Sequence, residues 1–512
     1  MQANTIFVRF ISFFLCLFML AWSAAACGSV SDYPESESDS ETVTETEDLQ
    51  KSSLYIAGHP IEEFKVIRAE TAGKDIVSVC SKFRNRISEL YGFEMEFETD
   101  YVPKGQSPSP YEIVVGSAKR EGAPSLTDKD QACLCVKEGR LYVLAQTGDM
   151  LDLLIDYLIR QILTDEKGQI VLTEFEEGYM KEFKGTIQLR RTDGNPIRTD
   201  VVFKTYAFGV TGHNRGYEAY PEALLESQIR AAAELGSKIY RFNFNPESED
   251  DFRYMMKVLD TCDTYGLQMM LVLDDFQGDA DEIAERNGII AQRLKGRVAY
   301  YQVFNETDVY AMYQDDGSLY NGGTGEDIRN FNPSRMDEMT EKFKKSIDAI
   351  RQNDPNGKIV INFAYKHIAI LEHYAQAGIT WDVTGVDWYS DMEATEPLSS
   401  FLVRAQGRLP DTDYMICECN IWAHQDYTEE EQSEYLEQFV LSLKESEIQK
   451  LKAILIYELL DEPAYGNGES HFGLIKCDRK GNIEGTKKAY DYLQLLLCGG
   501  KTEAVLVLEE KE

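Results

Sequence analysis

A chain of 512 residues is longer than one ordinary domain, and 43% hydrophobic with 11% aromatic residues is the composition of a folded protein with a sizeable core. Lys and Arg number 52 against 88 Asp and Glu, a formal charge of −36. A surface of that sign repels phosphate backbones and argues against a nucleic-acid partner.

Residues 1–26 read as a secretory signal. Arg9 precedes an apolar run from Phe10 to Trp22, and the small residues Ala24, Ala25 and Ala26 lead into Cys27-Gly28. The run is short for a membrane-spanning helix and is followed at once by small and polar residues. The junction resembles a bacterial lipobox, which implies cleavage before Cys27, acylation of Cys27 and a lipid anchor to the outer face of the cell membrane. Residues 27–53 are rich in Ser, Glu, Asp and Thr and nearly free of large apolar groups. Such a stretch cannot bury enough surface to fold, so it reads as a tether. Eight of the ten cysteines lie beyond it, thinly spread and without a CxxC pair, and are expected to be buried small hydrophobes.

Residues 54–190 predict a small α+β domain. Ile76, Val79, Phe83, Ile87 and Leu90 recur at helical spacing, extended stretches follow at Tyr111–Gly116, Ala132–Val136 and Arg140–Ala145, and a second helix is expected over Asp149–Leu163. No catalytic constellation stands out there, and the expected role is accessory.

Residues 200–498 change rhythm, to short apolar runs alternating with amphipathic helices. The expected strands are Lys204–Val210, Lys238–Asn243, Gln268–Asp274, Val298–Asn305, Lys358–Phe363, Val383–Trp388, Tyr414–Glu418 and Ala453–Tyr457. Eight such repeats predict a (β/α)8 TIM barrel, and no glycine-rich phosphate motif follows any strand to favour an open doubly wound sheet. Residues 499–512 are read as a C-terminal tail.

In a barrel of this kind the chemistry sits at the C-terminal ends of the strands. Tyr-Gln-Val-Phe-Asn305-Glu306 ends the fourth strand on an amide and a carboxylate. Met415-Ile-Cys-Glu418-Cys-Asn places a carboxylate inside an otherwise apolar seventh strand, where an unpaired charge is costly. By alternation, Glu418 faces the barrel mouth if Cys417 and Cys419 face the helices. Paired carboxylates are what glycosidic cleavage needs, one protonated and one ionised.

Asn-Glu after strand four with Glu on strand seven resembles glycoside hydrolase clan A, the TIM-barrel retaining β-glycosidases. That resemblance covers roughly residues 201–498. It implies Glu306 as acid/base, Glu418 as nucleophile, Asn305 as the amide bound to the sugar 2-hydroxyl, Arg241 as the residue orienting the nucleophile, and Tyr389 as the strand-six tyrosine beside it. It also implies a carbohydrate substrate and no cofactor. Two departures stand out: several families of the clan have tryptophan at the end of strand eight, where this chain has Tyr457-Glu458, and many have histidine where it has Asp387. Asn243, Asp387, His213, Trp422, His424 and Glu458 stand at strand ends where they can touch substrate. Tyr310, Tyr313 and Tyr320 in the loop after strand four, and Tyr465 after strand eight, could stack on sugar, and Glu458, Asp461 and Glu462 could either bind hydroxyls or cap the last helix. With only six histidines, none grouped, no metal site is expected. The alternative from another class is a non-catalytic cell-surface glycan-binding protein on the same scaffold.

Overall fold

The computed structural model describes residues 53–198, 207–422, 426–444, 448–465 and 468–511. The expected signal, Cys27 and the tether lie outside the described residues. Among those described, no helix is long and apolar enough to cross a membrane.

Eight strands close into a parallel barrel: Ala207–Gly212, Ile239–Asn243, Gln268–Leu273, Tyr300–Val303, Lys358–Ala364, Val383–Tyr389, Asp413–Asn420 and Leu451–Ile456. Each pairs with the next, and the last returns to the first with Ala207 opposite Ala453. The strands alternate between two apolar layers. Ile239, Met270, Val360, Met415 and Leu455 fill the barrel interior, while Tyr240, Leu271, Ile361, Ile416 and Ile454 pack outward against the helices. The helices are set by local signals. Glu249–Thr264 starts on a Ser248–Asp251 capping box, and Pro333–Asn353 begins with Asn332 capping and proline in its first turn.

One irregularity positions the site. Val386 on strand six pairs with Ile416 on strand seven, and the next residue, Asp387, pairs with Glu418. Cys417 is therefore an extra residue, a β-bulge that resets the alternation of strand seven. Cys417 packs in the barrel interior and Cys419 in the outer layer, so the condition set on both thiols is met by Cys419 only. Gly385 makes the bulge possible, because any side chain there would meet Cys417 Sγ at 2.6 Å.

The N-terminal region forms a seven-stranded mixed sheet covered by the helices Lys74–Tyr91 and Gly148–Tyr157, the latter running on through a π-helical stretch to Leu163. The C-terminal segment corrects the reading of a tail. Thr502–Glu510 is an edge strand of that same sheet, antiparallel to Met180–Arg191 along its whole length. It also touches the barrel, where Arg230 Nη2 donates to the Ala504 carbonyl at 3.0 Å and Ala504 N donates to Glu234 Oε1 at 3.0 Å. The alternating Ala504, Leu506 and Leu508 that carry it are too few to stand out as a strand in so short a stretch.

Candidate active site

The strand ends converge on one acidic centre. Glu418 is 7% exposed. Its Oε1 lies 2.8 Å from Arg241 Nη2, and its Oε2 accepts from the Tyr389 hydroxyl at 2.8 Å. Both oxygens thus have a donor, which offsets the cost of burying the charge. Burial and the neighbouring Glu418 push the Tyr389 hydroxyl well above its ordinary range, so it stays a donor.

Glu306 follows strand four in the left-handed region, with φ +45°. Strained conformations of this kind in non-glycine residues persist where the surroundings over-determine them and cluster at functional sites. Its backbone N–H donates to Asn362 Oδ1 at 3.2 Å. Burial foremost, then the nearby Glu418 and Asp308, push its carboxyl up to about 8. One carboxyl oxygen each from Glu306, Asp387 and Glu418 lies within 4.8 Å of the others.

Asn305 has its orientation set by its neighbours. Its Oδ1 accepts from Arg241 Nη2 at 3.0 Å, Gln302 Nε2 at 2.8 Å and Asn362 Nδ2 at 2.8 Å. Three donors on the oxygen leave the side-chain N–H2 to face the opening, where Asn305 lines the cavity.

Two hollows meet at this centre. A recess of about 100 Å³ is lined by His213, Arg241, Asn243, Asn305, Glu418 and Tyr457. A larger cleft of about 820 Å³ opens on the Glu306 side, against Tyr313, His367, Tyr389, Trp422 and Phe472. Asn305, Glu418 and Tyr457 belong to both.

The remaining sequence candidates divide. Asn243 accepts from the Asn214 backbone N–H at 3.4 Å on the recess wall. His213 stacks on Tyr217 with ring centroids 4.2 Å apart, and its Nε2 lies 2.6 Å from Glu458 Oε2. Burial lowers this imidazole to about 4, so it is neutral. Asp387 and Glu458 are buried and line neither hollow. Asp461 is held by Lys487 Nζ at 2.6 Å, away from the centre. Tyr313 lines the cleft, whereas Tyr310 packs on Phe276 and under Arg335. His424 lies outside the described residues.

The structure gives places to residues for which the sequence supplied no role. Tyr457, directly after strand eight, lines both hollows, and its position at a strand end was the available signal. Asn362 and Gln302 tie Asn305 and Glu306 together from inside the barrel. His367 lines the cleft with Nδ1 2.6 Å from Asp308 Oδ2 on the short helix Thr307–Met312, a pairing that no spacing reveals.

Among the described residues, two groups bring three ligand-type atoms within 4.8 Å of one another: Glu306, Asp387 and Glu418, and His213, Glu458 and Glu462. Arg241 and Tyr389 already occupy the oxygens of Glu418 in the first. In the second, one imidazole and two carboxylates are by type the donors a divalent cation accepts, and burial with Glu458 close by pushes Glu462 up to about 8.

No protein-family model and no curated protein matches the chain. Solved structures similar to it include a β-glycosidase, BGL167, at 16% identity, covering 59% of this chain and 97% of that one with a TM-score of 0.46. They also include a family 1 β-glucosidase from Thermotoga maritima at 13% identity, covering 58% of this chain and 98% of that one, again with a TM-score of 0.46.

Proposed function

We propose that the protein is a retaining glycoside hydrolase acting on β-linked glycosides through Glu306 and Glu418. The observation that carries this reading is the pair itself: carboxyl oxygens within 4.8 Å in opposite environments. Retaining enzymes hold their two carboxyls about 5–5.5 Å apart, whereas inverting ones leave about 6.5–9.5 Å for a water. Glu418, with Arg241 and Tyr389 on its oxygens, is the carboxylate. Glu306, partly buried beside negative charge, keeps its proton near neutral pH.

The proton on Glu306 passes to the glycosidic oxygen as Glu418 attacks the anomeric carbon. The carbon–oxygen bond breaks, and the leaving group departs with that proton. Glu306, now a carboxylate, takes a proton from water, whose oxygen attacks the same carbon and expels Glu418. The leaving group lies on the side of the acid, which assigns it the larger cleft and assigns the glycone the recess. Asn305 offers its N–H2 at the junction of the two, in reach of a sugar hydroxyl. The lipobox-like Ala-Ala-Ala-Cys27-Gly and the acidic stretch after it support a cell-surface, membrane-anchored location.

The test is stereochemical. The protein is incubated with a panel of aryl β-glycosides and β-linked oligosaccharides, and the first-formed sugar is followed by proton NMR. Release of the β-anomer is expected. Release of the α-anomer contradicts the mechanism, and tight retention of oligosaccharide without any release supports a glycan-binding protein instead.

A further inference from the structure

Asp387 is a third carboxyl in a site whose reaction, on the reading above, uses two. It lies two residues before the end of the sixth barrel strand and is fully buried. The groups facing it come from every neighbouring element. Asn362 on strand five donates Nδ2–H to Asp387 Oδ2 at 2.6 Å. The Glu306 carboxyl, after strand four, brings an oxygen within 4.8 Å of an Asp387 oxygen. Glu418 and Cys417 approach from strand seven, and Arg241 from strand two. Asp387 Oδ1 finds no protein donor, and Arg241 directs its N–H groups to Glu418, Asn305, Gln302 and Thr211.

Two ionised carboxylates only accept hydrogen bonds, so a carboxyl–carboxyl contact needs a proton on one of them. Glu306 opens to the cleft and can be hydrated when charged. Asp387 has no access to water, and a charge on it would stand beside Glu418 with no cation of its own. We propose that Asp387 is a permanently neutral acid whose O–H donates to Glu306, a positioning residue that supports Glu306 in both of its protonation states. This rests on the two-glutamate reading. Asp387 keeps its proton throughout: the proton given to the leaving group comes from Glu306 and is replaced from the attacking water. When Glu306 is a carboxylate, the Asp387 O–H bond to it becomes charge-assisted and so strengthens at the stage where Glu306 must act as base. Burial and the two glutamates raise the Asp387 carboxyl well above the aspartate range, in keeping with this.

The direct test needs no substrate. Carbon-13 NMR of the full protein, labelled at the aspartate side-chain carboxyl carbons, is compared with Asp387→Asn to assign the Asp387 resonance. At about pH 7, far above an ordinary aspartate pKa, it is expected at the protonated position and to remain there as Glu306 titrates. An ionised Asp387 at about pH 7 overturns the proposal.

A second readout is the pH profile of kcat/KM on an aryl β-glycoside turned over by the wild type. Asp387→Asn keeps a neutral donor and should leave the alkaline limb within about 0.3 of a pH unit, with kcat/KM reduced less than about tenfold. Asp387→Ala should move that limb to higher pH and lower kcat/KM by about 10–100-fold, since the Glu306 carboxylate loses its donor. If Asp387 were ionised, Asp387→Asn would remove a negative charge and move the limb down by about a unit or more. An ionised Asp387 in an enzyme that retains configuration removes this proposal alone. Inverted product removes the two-glutamate mechanism and leaves the NMR result standing.

Discussion

The Tyr389 hydroxyl donates to Glu418 Oε2 at 2.8 Å from the strand next to it. A hydrogen bond to a buried charged group is worth about 1.5–3 kcal/mol, so Tyr389→Phe should lower kcat/KM by about 10–150-fold while the fold persists. The kinetics of the variant on aryl β-glycosides and its thermal melt check this. Unchanged kcat/KM would show that Glu418 is oriented by Arg241 alone.

Arg241 is the cation of the centre, 3% exposed, with side-chain contacts to Glu418, Asn305, Gln302 and Thr211. Lysine cannot reproduce that fork, so Arg241→Lys should lose at least about 100-fold in kcat/KM. Arg241→Met leaves Glu418 buried without its counter-charge and should destabilise the protein by about 3–5 kcal/mol. Chemical denaturation at neutral pH measures the loss.

Glu306 stands near about 8 against an ordinary 4.5, through burial first and then Glu418. Two consequences share a sign. As an acid it works when protonated, so kcat/KM should fall as pH rises through about 8. The folded state also holds a proton that the unfolded chain releases above about 4.5. Its contribution to stability is therefore complete below about 4.5 and lost as pH rises to about 8. Glu462, also near about 8, adds to the same slope. Glu306→Gln should abolish the alkaline limb and lessen the pH dependence of unfolding over this window, leaving the share due to Glu462 and Asp387. Paired pH–rate and pH–denaturation curves decide it.

The C-terminal strand ties the N-terminal sheet to the barrel by pairing with Met180–Arg191 and contacting Arg230 and Glu234. Deleting residues 502–512 should expose the edge of that sheet and a row of unpaired backbone groups, giving a less stable, aggregation-prone protein. Light scattering and thermal melts of the truncated chain check this. An unchanged melt would make the strand dispensable.

The barrel was legible because each strand is a short apolar run ending in polar residues, and the ends named Asn305, Glu306, Glu418, Arg241 and Tyr389 directly. What strand-end reading missed depends on depth and register. Asp387 and Glu458 sit at strand ends as expected, yet the barrel buries them behind the lining residues. The bulge at Cys417 arises from pairing with strand six, and alternation within strand seven alone cannot show it. His367 meets Asp308, on the helix Thr307–Met312, 59 residues away in the chain. Tyr457, noted in the sequence only as a departure from the tryptophan of related families, lines both hollows.

The proposed mechanism turns on a covalent bond between Glu418 and the sugar, which trapping detects. The protein is incubated with activated 2-fluoroglycosides of several sugars, and intact mass and peptide maps are recorded. One adduct per chain is expected, on the peptide containing Glu418 and absent in Glu418→Gln. An adduct on a different carboxylate, or catalytic turnover of the matching glycoside with no adduct on any residue, would contradict it.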